Sequence, residues 1–390
     1  MSVSVEISPA VLAWVGQQIS AKNNTKITSL LSRWINKEEK PNTKTIHRVS
    51  QATHIPFGYF FLKYPPQEEC DLIHCRTINS TSIKPQSRDF IDIYNSMLNV
   101  QNWMAEYNRE TLGLEPLSFV GRYNENNSPM EIAIDIRHEL ELSEDFFTRE
   151  KSSEGCFNHL RKRISESGIL VMKNAVVGSN THRKLDIKEF RAFTIINNYA
   201  PLIFINGNDT KTGKLFSLAH ELAHIWIGSN NLFNDMYFNL HVSKPEQICN
   251  AVAAEILVPI SIFKCKWTEL NVNSVAKISI LADVFHCSEL VIARRALDLK
   301  FINQKAYTDI QSQTRTQFET SPPDSKSKFG GGSFYNTLKS NWDKNFILAL
   351  DYSTKAGNTP YLDAYRLTGF KSKTFQNLVE QLNQGQVEVT

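Results

Sequence analysis

The sequence predicts an α+β protein that is predominantly helical. Three short runs rich in β-branched and aromatic residues predict strands at Ile169–Met172, Ala192–Ile196 and Leu202–Asn206. An apolar helix follows them at Lys214–Gly228, and long segments on both sides carry apolar residues at helical spacing. Strands placed directly before a buried helix predict one small sheet inside an otherwise helical chain.

Composition limits the class of protein. The chain has 390 residues, 41% of them hydrophobic, so it can bury sizeable cores in several modules. Its formal net charge of +3 neither requires nor excludes nucleic acid. The six cysteines lack paired-zinc spacing, and the first residues lack the basic-then-apolar pattern of a secretory signal. The longest apolar stretch, Ala251–Phe263, is too short to span a bilayer. We therefore expect a reduced, cytoplasmic protein.

The apolar helix contains the pattern His220-Glu221-Leu-Ala-His224. A spacing of four residues puts both imidazoles on one helix face, where they can hold one zinc ion with Glu221 beside its bound water. Polar side chains in such an apolar helix are costly to bury unless they bind something. The alternative is two core histidines that neighbouring carbonyl groups satisfy. The pattern favours a zinc site of the hydrolase type.

A zinc site needs a third protein ligand. The metzincin pattern would place Gly and His where this chain has Ile227 and Asn230, which excludes that subclass. The favoured candidate is Glu246, on a second predicted helix at Ser243–Pro259. Its helix face also carries Ala253, whose small side chain allows close approach to the first helix. The alternative role for this glutamate is a capping box at the start of its own helix.

Four segments of the chain together resemble the ImmA/IrrE family of metallopeptidases: Gly168–Gly178, Tyr199–Gly207, His220–His224 and Cys249–Pro259. The resemblance is dense over about residues 150–265. It implies a zincin-like module, a small sheet plus the HExxH helix, in which His220, His224 and Glu246 bind Zn²⁺ and Glu221 is the general base. In the rest of the chain, the order of the segments resembles that of longer family members, which carry an Xre-type helix-turn-helix at the N-terminus.

The same resemblance implies the kind of partner. Characterised members of the family cleave a DNA-bound repressor, or act in stress and mobile-element regulation. A related group is found beside toxin genes as antitoxins. The expected function is therefore zinc-dependent cleavage of a regulatory protein. The alternative is a non-catalytic antitoxin or transcriptional regulator that binds a toxin or DNA, with the metallopeptidase fold as a binding module.

One further histidine is a candidate for the site. His182 lies in the predicted loop Ser179–Arg183, from which it could reach the zinc centre and stabilise an oxyanion. The alternative is a loop histidine that is simply exposed to solvent.

The predicted N-terminal module, residues 1–66, resembles a degenerate Xre-type domain. Its back half is recognisable, but the chain between Trp14 and Trp34 lacks residues that would complete the second helix and its turn. Weak, salt-dependent contact with phosphates would then depend on three cations: Arg33, Lys37 and Lys40. The alternative is the solvated face of a helical protein-interaction module.

The remaining predicted boundaries enclose helical pieces around the zinc metallopeptidase domain at 150–265. A connecting region at 67–149 carries predicted helices at Phe90–Arg109 and Pro129–Leu142. A helix-turn-helix-like module at 266–312 has its turn at His286–Ser288 and offers Arg294 and Arg295 to phosphates; its alternative is a plain helical hairpin.

A flexible linker is predicted at 313–333, where Ser, Thr, Pro, Lys and Gly are frequent. The C-terminal module at 334–390 is predicted to form two or three helices. It either docks a partner or packs back onto the peptidase.

Overall fold

The computed structural model describes residues 4–18, 25–66, 86–228, 231–233, 243–320 and 334–387. The chain divides into two compact units, residues 1–94 and 95–390. No helix among the described residues has by itself the length and apolar composition of a membrane span, although the bent pair at Lys244–Leu257 and Ile260–Glu269 meets those criteria together.

The first unit contains helices α1 (Pro9–Gln18), α2 (Thr25–Ile35) and α3 (Thr43–Thr53), then a 3-10 turn at Phe57–Phe61. These elements enclose a small apolar core in which Trp34 and Phe60 are buried. Asn42 begins α3 with a capping box, which satisfies the first free amides of the helix. Arg33 is paired with Glu39 at 3.2 Å. Phosphate binding by this unit stays a prediction.

Helix α4 (Arg88–Glu106) continues into a π-helical turn at Tyr107–Thr111, and α5 (Pro129–Glu139) precedes α6 (Ser153–Glu166). Both helices predicted for the connecting region are therefore present. A 3-10 turn at Phe146–Arg149 buries two phenylalanines between α5 and α6.

The sheet has four strands in the order β1, β5, β4, β6. Strands β1 (Leu170–Asn174) and β5 (Leu202–Asn206) are parallel, while β4 (Ala192–Ile195) and β6 (Asn231–Phe233) are antiparallel to their neighbours. A separate hairpin is formed by β2 (Val176–Val177) and β3 (Asn180–Lys184). All three strands expected from sequence are present, and β4 and β5 are buried along their whole length because their side chains are almost all apolar.

Two helices carry the candidate site beneath this sheet. Helix α7 (Lys211–Ile227) contains the HExxH pattern and α8 (Lys244–Leu257) contains Glu246. Thr210 caps the first turn of α7, and Gly228 ends it with φ 73°. Glycine is required at this end, because a Cβ on Gly228 would also lie 2.9 Å from Gly121 Cα.

Helices α9 (Ile260–Glu269), α10 (Ser274–Phe285), α11 (Glu289–Asp298) and α12 (Gln304–Thr320) complete the region. The turn expected at 286–288 separates α10 from α11. One hydrophobic cluster joins α5, α6, the sheet and α7 to α12, so apolar packing continues across the predicted boundaries at residues 150 and 266. Residues 313–320 belong to α12 rather than to a linker; the rest of the predicted linker lies outside the described residues.

The prediction that Arg295 is available to phosphates is wrong. Its side chain is buried and pairs with the buried Glu255 at 3.1 Å, while Arg294 pairs with Asp298 on the same helix at 3.0 Å. Glu255 also accepts a hydrogen bond from the amide of Ile260. An arginine without a carboxylate partner would be costly to bury, so this ion pair fixes α11 against the end of α8.

The C-terminal module has four helices, more than the two or three expected: α13 (Phe334–Asn341), α14 (Lys344–Lys355), α15 (Tyr361–Thr368) and α16 (Ser372–Val387). It packs back onto the edge of the sheet. The guanidinium of Arg161 donates to the carbonyls of Ser340, Trp342 and Val171. The amide of Val171, on edge strand β1, donates to Asp343 Oδ2 at 3.2 Å.

Candidate metal centre

The histidines of α7 turn their Nε2 atoms toward one point. His220 and His224 lie one helical turn apart, both are fully buried, and their Nε2 atoms are 3.1 Å apart. The four-residue spacing predicted that both imidazoles lie on one face of the helix, and in the folded chain they do. Two imidazole nitrogens at this distance can direct their lone pairs at the same point. The arrangement therefore suits one cation that binds both rings.

Helix α8 brings Glu246 to the same point. Glu246 Oε2 lies 3.1 Å from His220 Nε2, and Oε1 lies 3.2 Å from His224 Nε2. The fully buried Ala253 lies farther along the same helix, where the two helices pack closely. The capping-box alternative is wrong, because Ser243 makes no side-chain capping bond.

The three donors fit a zinc ion. Zn–N and Zn–O distances of about 2.0–2.1 Å in a tetrahedron place neighbouring donor atoms about 3.3 Å apart. The observed separations are similar: 3.1 Å between the two Nε2 atoms, 3.1 Å from His220 Nε2 to Glu246 Oε2 and 3.2 Å from His224 Nε2 to Glu246 Oε1. The carboxylate thus turns a different oxygen toward each imidazole. Moreover, the described polar contact of the buried Glu246 Oε1 is its 3.2 Å approach to His224 Nε2, so its negative charge is available to a cation beside that ring. Two imidazoles and one carboxylate form a donor set typical of catalytic zinc.

The pKa of Glu246 is lowered, and the pKa values of the two histidines shift in opposite directions. Burial acts to raise the pKa of Glu246, but the charges and hydrogen bonds of His220 and His224 outweigh it and lower that pKa below its ordinary value. Burial lowers the pKa of His220, although Glu246 opposes the change. Burial acts to lower the pKa of His224, but the charges of Cys249 and Glu246 outweigh it and raise that pKa well above its ordinary value. Glu246 is therefore a carboxylate, whereas His224 must release a proton before it can bind a metal.

Helix α8 also contacts the far side of both imidazole rings. Asn250 Oδ1 lies 3.0 Å from His220 Nδ1, and Cys249 Sγ lies 3.4 Å from His224 Nδ1. No role was predicted for either residue from the sequence. The signal available was their position, since they follow Glu246 by three and four residues and so share its helix face.

Glu221 is held by a strand. Thr194 Oγ1, from β4, donates a hydrogen bond to Glu221 Oε2 at 2.5 Å, while Oε1 is buried without a described hydrogen-bond partner. Burial raises the pKa of Glu221 to about 8, although the charge of His224 and the hydrogen bond from Thr194 offset part of the rise. A carboxyl group with that pKa is mostly protonated at pH 7, so the general-base role needs the charge of a bound cation to lower it. The role of Thr194 was not predicted from the sequence. The signal available was its hydroxyl group inside an otherwise apolar strand.

His182 is not part of this cluster. It lies on β3 of the separate hairpin, its side chain is exposed, and its amide donates to Asn180 Oδ1. Among the described residues, the group of ligand atoms that could hold a metal consists of His220, His224 and Glu246. The oxyanion role of His182 stays a prediction.

Comparison with known families matches two segments of the chain. Residues 342–381 match a domain family of unknown function, which covers α14, α15 and most of the last helix. Searches of curated proteins and of solved structures gave no match. Residues 164–297 match the family described as the IrrE N-terminal-like domain; this range includes the sheet and α7 to α11, but not the N-terminal unit. The part of the chain that carries the candidate metal centre is thus similar to the ImmA/IrrE family of metallopeptidases.

Proposed function

We propose that this chain is a zinc-dependent endopeptidase that cleaves a regulatory protein partner in the cytoplasm. The observation that carries the proposal is the convergence of three ligand atoms with a buried glutamate that has one free oxygen. A structural zinc site is satisfied by its ligands alone. It has no need of a carboxylate such as Glu221 held in place by a hydroxyl from another element.

Each residue has one task in this proposal. His220, His224 and Glu246 would hold the metal. The chemistry that bound zinc supplies is a lowered pKa for its water and polarisation of a peptide carbonyl. Glu221 Oε1 accepts the proton of the attacking water and delivers it to the leaving amine, and Thr194 keeps the other oxygen occupied so that Oε1 faces the reacting groups.

The partner class follows from the family similarity and remains part of the proposal. A transcriptional repressor or another regulator of stress or mobile elements is the substrate that the resemblance implies. The cytoplasmic location is supported by Cys156, Cys249, Cys265 and Cys287, which are all free thiols.

The competing function is a non-catalytic regulator or antitoxin that binds a toxin or DNA. The burial of Arg295 removes one of the cations that would have supported DNA binding through α10 and α11. Binding to a toxin through the helical surfaces is tested by the same experiment as cleavage.

The test uses the purified full chain and the purified products of the genes beside its own. Each product is incubated with untreated chain, with chain treated with a chelator, and with treated chain to which zinc has been restored. Intact-mass spectrometry then identifies any cut. The proposal expects one partner to be cut at a defined peptide bond, with cutting lost on chelation and restored by zinc. A stable complex with a partner that remains uncut in all three samples would support the antitoxin function instead.

A further inference from the structure

The second contact sphere of the candidate metal centre is asymmetric. His220 Nδ1 faces the amide oxygen of Asn250 at 3.0 Å, whereas His224 Nδ1 faces the thiol of Cys249 at 3.4 Å. Cys249 and His224 are both fully buried, so solvent is not in a position to replace this contact. Among the described cysteines, Cys249 is the one that contacts a residue of the ligand set.

Only one tautomer of each histidine can bind a metal through Nε2. The ligating nitrogen must present its lone pair, so the proton of the neutral ring must be on Nδ1. Second-sphere acceptors commonly hold that proton and thereby fix both tautomer and ring orientation. At His220, the carbonyl oxygen of Asn250 can accept it. At His224, the atom placed to accept it is the sulfur of Cys249.

A thiol differs from an amide oxygen because it can act in both directions. If His224 Nδ1–H donates to Cys249 Sγ, then Nε2 carries the lone pair and points toward Glu246. If the thiol donates to Nδ1 instead, the ring proton must be on Nε2, and the ring cannot ligate. The contact between Cys249 and His224 therefore has one arrangement that is competent for metal binding and one that is not.

We infer that Cys249 is a positioning residue of the metal centre, which accepts the Nδ1 proton of His224 and so presents Nε2 of that ring to the metal. The inference rests on the proposed function, because it assumes that the ligand set binds zinc. A sulfur atom is a weak acceptor, so Cys249 supports its histidine less strongly than Asn250 supports His220. Losing the thiol should therefore weaken zinc binding, and losing the Asn250 amide should weaken it more.

The test measures zinc affinity and histidine tautomer in the full chain, independently of proteolysis. Zinc dissociation constants are obtained by competition with a chromophoric chelator for wild type, Cys249→Ala, Cys249→Ser and Asn250→Ala. Cys156→Ala is the matched control, because it removes an equally buried thiol of the same core, and Cys156 contacts none of the ligand residues that the structure describes. Long-range ¹⁵N–¹H correlation spectra report which nitrogen of His224 carries the proton.

Second-sphere substitutions typically weaken metal binding by about 10- to 100-fold. We expect Cys249→Ala to lie near the lower end of that range and Asn250→Ala near the upper end. Cys249→Ser should restore most of the affinity, because a hydroxyl can accept the same proton, and Cys156→Ala should match wild type. In metal-free Cys249→Ala, the His224 signal should shift from the Nδ1–H form toward a mixture of tautomers.

Two results would overturn the inference. One is a Cys249→Ala dissociation constant within twofold of the Cys156→Ala value, with an unchanged His224 tautomer. The other is a wild-type chain that binds no zinc. Zinc binding with the expected order of affinities, in a chain that cleaves nothing, would instead refute only the peptidase function.

Discussion

Thr194 and Glu221 are joined by a hydrogen bond of 2.5 Å between two fully buried side chains, although 27 residues separate them in the chain. The bond ties the middle of strand β4 to the HExxH helix. It occupies Oε2 of the glutamate and leaves Oε1 without a described partner. The rotamer of the proposed general base is thus set by a strand rather than by its own helix.

Thr194→Val should lower the rate of partner cleavage by about 10- to 100-fold, because a hydrogen bond to a charged group contributes about 1.5–3 kcal/mol. The loss should be in kcat rather than KM, and the zinc content should not change. Thr194→Ser keeps the hydroxyl and serves as the control. Steady-state kinetics with unchanged kcat in Thr194→Val would exclude this positioning role.

The ligand assignment makes its own prediction. Wild type should contain about one zinc per chain, His220→Ala should contain none, and Glu246→Ala should bind zinc at least tenfold more weakly because it loses one of three protein ligands. Elemental analysis after dialysis against a weak chelator checks this, with the exposed Glu269→Ala as the control. Full zinc content in Glu246→Ala would mean that another group is the third ligand.

The C-terminal module should depend on Asp343. Its Oδ1 accepts from the amide of Asn345 at the start of α14, and its Oδ2 accepts from the amide of Val171. Asp343→Ala removes a helix cap and leaves the Val171 amide unpaired, so the free energy of unfolding should fall by about 1–3 kcal/mol. Urea unfolding measures the loss, and hydrogen exchange should show faster exchange at Val171. Exchange as slow as in the half-exposed control Asp363→Ala would show that the module docks without this bond.

Lys173 should make stability depend on pH. Burial lowers its pKa from 10.5 to about 8, and the charges of Lys214 and Arg161 act in the same direction. Between those values the unfolded chain binds more protons than the folded chain, so the unfavourable contribution of Lys173 to stability is largest below about pH 8 and disappears as the pH rises through 10.5.

Lys173→Met should therefore be more stable than wild type at pH 7, by about 1–2 kcal/mol after allowance for solvent screening, and the gap should narrow by pH 10. Urea unfolding at both pH values tests this, with the exposed Lys188→Met as the control. An equal gap at both pH values would show that packing against the Phe157 ring, rather than charge burial, sets the difference.

The sequence predicted the parts of this structure that local physics determines. The i, i+4 spacing of His220 and His224 needs only a helix to place both rings on one face, and Glu246 was found from the face of its own helix. The strands were predictable because buried strands consist of β-branched and aromatic residues.

The contacts that were missed join residues far apart in the chain. Arg161 binds the carbonyl of Ser340 across 179 positions, and no local pattern records that pairing. The residues around Arg295 in the sequence do not distinguish it from a surface arginine. It is buried because α11 packs against the end of α8. The register of β4 against α7 likewise decides that Thr194, rather than a neighbour, reaches Glu221.

Glu221 is proposed to act as the proton-transfer group of a metal peptidase. Glu221→Gln has a similar volume and leaves all three proposed ligands in place, so zinc content and stability should match wild type. Partner cleavage should fall by about 100- to 10,000-fold, because glutamine cannot accept the proton of the attacking water. The measurement is the rate at which the identified partner is truncated by wild type, Glu221→Gln and the control Glu269→Gln, each carrying a measured amount of zinc. A Glu221→Gln variant that cuts at the wild-type rate would exclude Glu221 as the proton-transfer group.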